Sequence, residues 1–282
     1  MAVDVAAHAM IHFTSTQIET WIGAFFWPFV RVLAMLSLAP VFSMGSLPTM
    51  VRVGLAVLIA VAIAPALPAM PPVQFGTATA WMLLLQQLLV GGAIGLSMTL
   101  ILSAVMFAGS VIGLQMGMGF ATLFDPVQGV QVTSLASFLN MVTMLLFLAV
   151  NGHLILLAVI ARSFTLLPVA PNLGLAAQTW FTLAQQGGSA IFSLGLALAA
   201  PVIGVLLIAN LGLGVLTKLA PQLNLFAVGF PMFFIMGFLA LYLVMPVMQN
   251  VVQHLVDMGL SLSGQVLQQG GACCSAAGAR HG

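Results

Sequence analysis

Long apolar stretches separated by short breaks run along almost the whole chain, and they predict membrane-embedded helices. Six segments are predicted to be helical, with ends defined to within about four residues. They run from Ile18 to Leu38, Leu47 to Leu67, Gly76 to Ile112, Val132 to Leu167, Gln178 to Leu219, and Leu225 to Leu260. The pattern therefore predicts an all-α membrane protein.

The first two segments have the length of a simple membrane span, whereas the others are longer. A continuous helix over the third, fourth or fifth segment would measure on the order of 55 to 60 Å. A hydrocarbon core is only about 30 Å thick. We therefore expect the long segments to bend, fold back into hairpins or project beyond the bilayer.

Glycine and proline mark candidate bends inside the long segments. They occur in VGGAIG (Val90 to Gly95), in NGH (Asn151 to His153), and at Gly187, Gly188 and Pro201. Such residues weaken the helical hydrogen-bond ladder, and in lipid the released backbone groups must bond within protein or water. The same residues are also compatible with close helix packing and tolerated kinks.

Composition excludes the soluble classes. Charged residues make up 3% and hydrophobic residues 62% of the 282 residues, and the mean hydropathy is +1.22. Soluble domains carry charge on about a quarter of their residues. No charge occurs between Arg52 and Asp125 or between Arg162 and Lys218, which leaves room for several spans. A net charge of +1 leaves no basic patch for nucleic acid and no acidic face for cationic partners.

The two ends of the chain carry few signals. The first 15 residues contain Asp4 but no Lys or Arg, so they lack the basic region of a cleavable signal peptide, and the first apolar run is expected to be retained. The adjacent Cys273 and Cys274 form only a strained ring and do not staple a fold. We interpret them as incidental, with metal binding or lipid attachment as alternatives.

The few charges give opposing indications of orientation. Arg31 and Arg52 flank the first connection, and Lys218 precedes the last one. Under the positive-inside rule both connections are cytoplasmic and both termini lie outside. Arg162 indicates the opposite orientation.

Arg31 lies well inside the first segment, where a charged side chain costs at least about 2.5 kcal/mol on insertion scales. Snorkelling to the segment end near Pro40 would have to cover about 13 Å. A packed or watery interface is therefore favoured over snorkelling. Asp125, or a group on another subunit, is the predicted partner of this arginine.

Three further polar residues have two interpretations each. Asn151 and His153 either satisfy backbone groups opened at a bend, or His153 belongs to a proton relay. Asp125 followed by Pro126 matches a helix N-cap with proline at the first helical position, which would cap the fourth segment. The alternative for Asp125 is an ion-binding or gating carboxylate.

Catalysis has little support in the sequence. The chain contains no HExxH, no GxSxG and no pair of intramembrane aspartates. Asp125 and His153 are far apart in sequence, and both cysteines are remote in the tail. The chain is therefore predicted not to be an enzyme, with no catalytic residues, no cofactor and no metal site.

The stretch GLQMGMGFATLFDPVQGV, from Gly113 to Val130, is too apolar for a solvated loop and too rich in glycine for a good helix. Glycines allow close backbone approach, while methionines and phenylalanines form a deformable apolar surface. The stretch has two interpretations. It is either a plug that closes a conduit and yields when something bulky passes, or a buried loop in a static core.

Five sequence blocks resemble the FliR family of flagellar biosynthetic proteins, components of the type III protein-export gate with counterparts in the injectisome. The blocks occur in family order from about Gln17 to Leu262, and they favour the flagellar branch. The glycine-rich, double-cysteine tail does not resemble the family pattern. The blocks are Phe25 to Ser43, Pro48 to Pro68, Ile112 to Gly129, Leu146 to Leu157, and Leu216 to Pro231.

This resemblance implies a non-enzymatic subunit of a helical export gate, with one copy per gate, in the bacterial inner membrane at the flagellar basal body. Its implied partners are FliP-like and FliQ-like subunits, an FlhB-like switch protein and unfolded flagellar proteins in transit. Residues 1–16 are expected to form an N-terminal tail, 17–262 one membrane domain and 263–282 a flexible tail. Within the domain, about 17–175 is expected to be FliP-like and 176–262 FliQ-like.

The resemblance also implies roles for individual residues. In the plug loop the methionines and phenylalanines act as the seal and the glycines as hinges, and Asp125 with Pro126 anchors the loop to the next helix. The implied contact with the FlhB-like protein is the turn of Lys218, Pro221, Gln222 and Leu223. The implied gate residues are Gly113, Gln115, Met116, Gly117, Met118, Gly119, Phe120 and Phe124.

A secondary transporter or small-solute channel is the main alternative. Its polar site would contain Asn151, His153 and Asp125 at broken helices, where transporters bind their substrates. The two halves of the chain show no convincing internal repeat, and intramembrane charges are scarce, which disfavours this reading. An intramembrane hydrolase that uses His153 is a third hypothesis.

Overall fold

The computed structural model describes residues 15–43, 47–68, 70–72, 76–119, 133–170, 177–220 and 225–278. Within these ranges all regular secondary structure is helical. Short 3-10 turns at Ala64–Ala66 and Met245–Val247 extend the second helix and connect the last two. The α-helices are α1 (Ser15–Leu38), α2 (Thr49–Ile63), α3 (Ala78–Gln115), α4 (Ser134–Ala149), α5 (Gly152–Leu166), α6 (Ala177–Leu219), α7 (Leu225–Val244) and α8 (Met248–Gly278).

Five helical stretches in the described part are long and apolar enough to cross a membrane, and the bent pair of α4 and α5 offers a sixth crossing. Helix α3 has 38 residues, which corresponds to about 57 Å, and α6 has 43. Both exceed the hydrocarbon thickness of about 30 Å, so parts of them lie beyond it or among other protein. The predicted all-α membrane class is confirmed.

The helix is broken at a predicted bend in only one of the three long segments. Helices α4 and α5 meet at 65°, with Asn151 in the left-handed region at φ 58. A side chain on Gly152 would collide with the Phe147 ring, which makes glycine necessary at this corner. Helix α3 continues without a break through residues 90–95, and α6 continues without a break through Pro201, so neither helix is interrupted at its glycine or proline residues.

The last segment departs from its prediction in two ways. It is interrupted at Met245–Val247, where Pro246 favours a short 3-10 turn, and it then continues as α8 to Gly278. Residues 263–278, predicted to belong to a flexible tail, therefore extend this helix. The amphipathic pattern explains the extension, because Leu262 and Leu267 are buried while Gln265 and Gln268 are exposed.

Helix α3 is the central helix and packs against α1, α4, α6 and α8. Its glycines permit close approach: a Cβ on Gly91 would collide with the carbonyl oxygen of Arg31, and one on Gly95 would lie 2.6 Å from that of Met35. Farther along, a Cβ on Gly109 would lie 2.7 Å from the Cα of a residue in α4. The glycines of α3 therefore serve close packing, as in other membrane helices.

We predict that Gly91→Ala destabilises the fold by about 1 to 3 kcal/mol, the usual cost of forcing an extra carbon into a packed interface. The added methyl group must displace the α1 backbone. Thermal unfolding of the purified protein in one detergent measures the effect.

The matched control is Gly204→Ala on α6, where a Cβ meets nothing within 4 Å. Alanine at this site gains up to about 1 kcal/mol of helix propensity, so the variant should melt at or slightly above the wild-type temperature. A Gly91→Ala protein that melts no lower than this control would contradict the close crossing of α1 and α3.

Candidate functional site

Arg31 is fully buried, at 0% exposure, where α1 crosses α3. Its Nε donates a hydrogen bond to Gln87 Oε1 at 2.7 Å, and its Nη1 donates to Ser163 Oγ at 3.0 Å. Its Nη2 donates to the Leu167 carbonyl at 3.0 Å. The guanidinium also lies over the Phe164 ring, 4.0 Å from its centroid. One side chain thereby links α1, α3 and the C-terminal end of α5.

The packed environment predicted for Arg31 is what the structure contains, but its partners in the described part are uncharged. Neutral acceptors and an aromatic face stabilise the guanidinium there. The amide pair extends the cluster, because Gln87 Nε2 donates to Gln86 Oε1 at 3.2 Å. Asp125, the predicted partner, lies outside the described residues.

The end of α3 forms a Schellman motif that fixes the start of the predicted plug loop. The Met118 amide donates to the Gly113 carbonyl at 3.0 Å, and Gly117 adopts φ 83. Glycine is favoured at this position because the left-handed conformation strains other residues. In this structure Gly117 terminates a helix, and Gly113 is helical rather than part of the loop.

The two ends of the loop lie against each other. A Cβ on Gly113 would lie 2.9 Å from Thr133 Oγ1, so the last turn of α3 contacts the first residue before α4. Thr133 is the N-cap of α4, and its Oγ1 accepts a hydrogen bond from the Ala136 amide at 3.3 Å. Gly109 and Gly113 form a GxxxG pair at this crossing. The chain therefore leaves α3 and enters α4 through one narrow stem.

Met116 is buried against α7, with 1% of its surface exposed. A Cβ on Gly237 would lie 2.6 Å from Met116 Cγ and 2.7 Å from its Sδ, so the thioether occupies the notch left by the absent side chain. Met118 packs, partly buried, against the same core. Gln115, the last residue of α3, is exposed. Met116 and Met118, the two methionines of the predicted plug loop, therefore have defined positions against the core.

The remaining loop residues have separate outcomes. Gly119 is partly buried in the turn that follows α3. Thr133 caps the described helix α4. Asp125, predicted to cap the fourth segment, lies outside the described residues, so this cap stays a prediction. The predicted loop residues outside the described part are Phe120, Phe124, Asp125 and Pro126.

Asn151 precedes α5, and its side chain makes no capping hydrogen bond. The interpretation that this side chain satisfies the opened backbone is therefore wrong, and the residue contributes a left-handed backbone that asparagine tolerates well. His153 is partly buried, and its Nδ1 has no hydrogen-bond partner in the described part. The two polar residues of the bend thus form no hydrogen-bonded relay within that part.

Lys218 is exposed in the last turn of α6, where a cation complements the helix dipole. It borders an open groove with Leu211, Val215 and Leu219. The other predicted residues of this turn lie outside the described part, namely Pro221, Gln222 and Leu223. No group of three or more His, Cys, Asp or Glu in the described residues could hold a metal ion.

Sequence reasoning missed the neutral partners of Arg31 and the notch at Gly237. One signal was available for the first: the adjacent amides Gln86 and Gln87 interrupt a long apolar run. The structure shows that both are buried. Buried amides of this kind usually have hydrogen-bond partners. The notch had no signal, because nothing in the sequence relates Gly237 to a methionine on another helix.

Together the fold and these contacts define an all-helical membrane protein with a glycine-packed central helix and an apolar loop on a narrow stem. The family described as "Bacterial export proteins, family 1" matches residues 22–259. The chain belongs to this family, and the resemblance found in the sequence is confirmed. It is a membrane-embedded flagellar protein of the export family.

Its relatives are similar over nearly their full length. The flagellar biosynthetic protein FliR of Pectobacterium carotovorum subsp. carotovorum is 43% identical, over 92% of this chain and 98% of the relative. FliR of Escherichia coli (strain K12) is 40% identical over the same shares. FliR of Bacillus subtilis (strain 168) is 31% identical, over 83% of this chain and 91% of the relative.

The Arg31 cluster predicts that Gln87→Leu lowers the free energy of unfolding by about 1.5 to 3 kcal/mol, the usual contribution of a hydrogen bond to a charged group. The substitution removes the acceptor of the Nε bond and leaves a buried charge less satisfied. Thermal unfolding in detergent measures the loss.

Gln86→Leu is the control, because Gln86 is equally buried but makes no hydrogen bond to Arg31. We expect a loss of about 1 kcal/mol or less, the contribution of one ordinary hydrogen bond. Equal losses in the two variants would show that the guanidinium does not depend on Gln87.

Proposed function

We propose that this protein is a non-enzymatic subunit of the flagellar type III protein-export gate in the bacterial inner membrane, at the base of the flagellum. With FliP-like and FliQ-like subunits it forms the channel for unfolded flagellar proteins. An FlhB-like switch protein contacts the turn that begins at Lys218. Membership of the export family and similarity to FliR proteins support this role.

The narrow stem of the loop is the observation that carries the gating role. Because Gly113 contacts Thr133, both ends of the loop are held at one point on the scaffold. In the proposed gate, the loop yields to a passing chain while α3 and α4 stay in place. Its methionines and phenylalanines form an adaptable apolar surface that excludes water and ions.

The outer surface of α6 supports assembly with other subunits. The apolar stretch Leu183–Leu219 has 37 residues, and only 22% of its most apolar window is buried within this chain. A helix of that length measures about 55 Å, which is more than a hydrocarbon core of about 30 Å covers. Exposed side chains such as Ile208 and Leu211 therefore require protein neighbours along part of the helix.

The transporter alternative needs polar side chains that converge on one cavity. Asn151 is exposed at the corner between α4 and α5, whereas the Nδ1 of His153 is buried without a partner in the described part. The gate is the better-supported function. Solute uptake by the purified chain in liposomes would favour the transporter, and the gate predicts none.

Deletion of Met116 to Phe120 tests the seal. We expect higher leakage of small ions across the inner membrane and impaired export, because the deletion removes both described seal methionines. Ion conductance and secreted flagellar subunits are measured in the same cells. Ser137→Ala, at an exposed position of α4 outside the loop, is the control and should match the wild type. Unchanged ion leak and unchanged export after the deletion would refute the sealing role.

A disulfide between positions 116 and 237 tests whether the loop must move. The variant combines Met116→Cys and Gly237→Cys with Cys273→Ser and Cys274→Ser. A Cβ at Gly237 lies 2.6 Å from Met116 Cγ, which is consistent with the short Cβ separation of about 3.5 to 4.5 Å that a disulfide requires. Oxidation should lower export at least about tenfold, because the crosslink holds position 116 against α7, and reduction should restore it. A tenfold change corresponds to about 1.4 kcal/mol.

Each single cysteine variant in the same background controls for the substitutions themselves, and its export should not respond to oxidation. The crosslinked fraction is measured by a gel-mobility shift after protease cleavage between α3 and α7. Full crosslinking with undiminished export would show that Met116 stays in its notch while substrates pass.

A further inference from the structure

A polar ridge runs along the exposed side of α8. Between residues 249 and 268, every position that the structure describes as exposed carries a polar side chain. Successive members are mostly three or four residues apart, which places them on one side of the helix. From residue 250 to 268 the ridge is about 27 Å long. The ridge consists of Gln249, Asn250, Gln253, His254, Asp257, Ser261, Gln265 and Gln268.

The opposite side of α8 holds the ridge in its outward position. Val252, Leu255 and Val256 are buried in the main core. A Cβ on Gly259 would lie 2.8 Å from the Sδ of Met98 on α3, so the two helices are in close contact. Rotation of α8 that turned the ridge inward would expose this apolar side. The ridge is therefore a fixed feature of the surface.

Apolar grooves border the ridge on both sides. On one side, Leu194 and Leu198 of α6 line a groove together with Asn250 and His254. On the other side, α5 and α8 form a second groove that includes Leu154 and Leu166, which are 53% and 47% exposed. Polar and apolar groups thus occur side by side at the first half of the ridge on one side and at its second half on the other.

Neither lipid nor water alone suits such a surface. Hydrocarbon disfavours the amides and the carboxylate of the ridge, because charged and polar groups in lipid need partners. Water disfavours the leucines of the grooves, and α8 up to Gln265 belongs to a candidate membrane span. A protein surface that is itself part polar and part apolar satisfies both requirements.

The charges of this surface indicate the chemistry of its partner. Asp257 is exposed on the ridge and has no ion pair or hydrogen bond within the described residues. Arg162 lines the second groove, is exposed, and likewise has no such partner in that part of the chain. A complementary partner places a cation opposite Asp257 and an acid opposite Arg162.

We infer that the α8 ridge is the docking surface for a helical hairpin of a neighbouring membrane subunit, with one helix in each groove. Ridges that fit into the groove between two helices are the usual geometry of helix packing. The hairpin presents amide or hydroxyl side chains to the ridge, a lysine or arginine to Asp257, and apolar side chains to the grooves. This inference rests on the proposed function, because it requires that the chain assembles with other membrane subunits.

Photo-crosslinking in the intact assembly tests the docking. A benzophenone amino acid replaces Asn250 or Ser261 in the full chain, in cells that produce the other flagellar membrane proteins. We expect both positions to form adducts with the same membrane subunit, at residues that lie on its two helices. Adducts with lipid alone would overturn the inference.

Water accessibility is tested with Asp257→Cys in the Cys273→Ser and Cys274→Ser background. In the intact assembly, its reaction with a water-soluble maleimide should be at least about tenfold slower than in the chain produced without other flagellar membrane proteins and solubilised in detergent. A tenfold slower reaction corresponds to about 1.4 kcal/mol of protection of position 257. Equal rates would show that water covers the ridge and would overturn the inference.

Charge reversal tests the predicted cation. Asp257→Lys should lower the amount of co-purified partner at least about tenfold, Asp257→Asn should lower it less, and an acid at the crosslinked basic residue of the partner should restore it. Ser137→Lys, which also introduces a lysine at an exposed position, here on α4, should have no effect. An unchanged melting temperature of the solubilised Asp257→Lys chain excludes misfolding. Undiminished co-purification of Asp257→Lys would overturn the charge pairing.

The outcomes separate this inference from the proposed function. A chain that co-purifies with other flagellar membrane subunits but leaves the ridge reactive refutes only the docking surface. A chain that associates with no such subunit refutes the proposed function as well.

Discussion

The crossing of α1 and α3 is the interaction on which the rest of the structure depends. Arg31 contributes to this crossing in two ways. Its carbonyl oxygen lies where a side chain on Gly91 would be, and its guanidinium donates a hydrogen bond to Gln87, one turn before Gly91 on α3. The further bonds to Ser163 and the Leu167 carbonyl position the end of α5. A buried cation is costly unless its hydrogen bonds are made, so the charge favours one arrangement of three helices.

From this crossing, α3 transmits a fixed geometry to the loop. The helix is apolar on all sides and packs against five other helices. At its end, the contact of Gly113 with Thr133 and the turn at Gly117 determine where the loop begins and where α4 starts. Rigid helices that position an apolar loop suit a gate, because the loop can move while its supports do not.

The helical class could be predicted from the sequence, because long apolar runs have few other solutions in a membrane. The six predicted segments agree with up to six candidate crossings in the described part, although eight α-helices form them. The bend at Asn151 could be predicted as well, since asparagine followed by glycine favours a left-handed residue and a tight corner. The uninterrupted course of α3 could not, because glycine permits a break and a close helix crossing equally. Only the position of the α1 backbone distinguishes the two at Gly91.

The candidate site shows the same limit. The buried environment of Arg31 followed from the cost of a charge in lipid, but its neutral partners on α3 and α5 depend on a tertiary arrangement that one sequence does not specify. The cap of α4 was assigned to Asp125, since Asp-Pro is a strong local signal. The described helix α4 is capped by Thr133, which lies against Gly113 at the end of α3, and Asp125 lies outside the described residues.

The chemistry of the loop base explains why a seal of this kind needs several apolar residues. Residues 113–119 contain no titratable side chain, so packing rather than charge would maintain the closed state of this part in the proposed gate. Full burial of one methionine contributes only about 1.5 to 3 kcal/mol, which corresponds to a population ratio of about ten to somewhat over a hundred. Met116 alone would therefore leave a substantial open fraction. A seal that combines it with Met118 and further apolar residues multiplies such ratios, yet each contact is weak enough to separate when a chain passes.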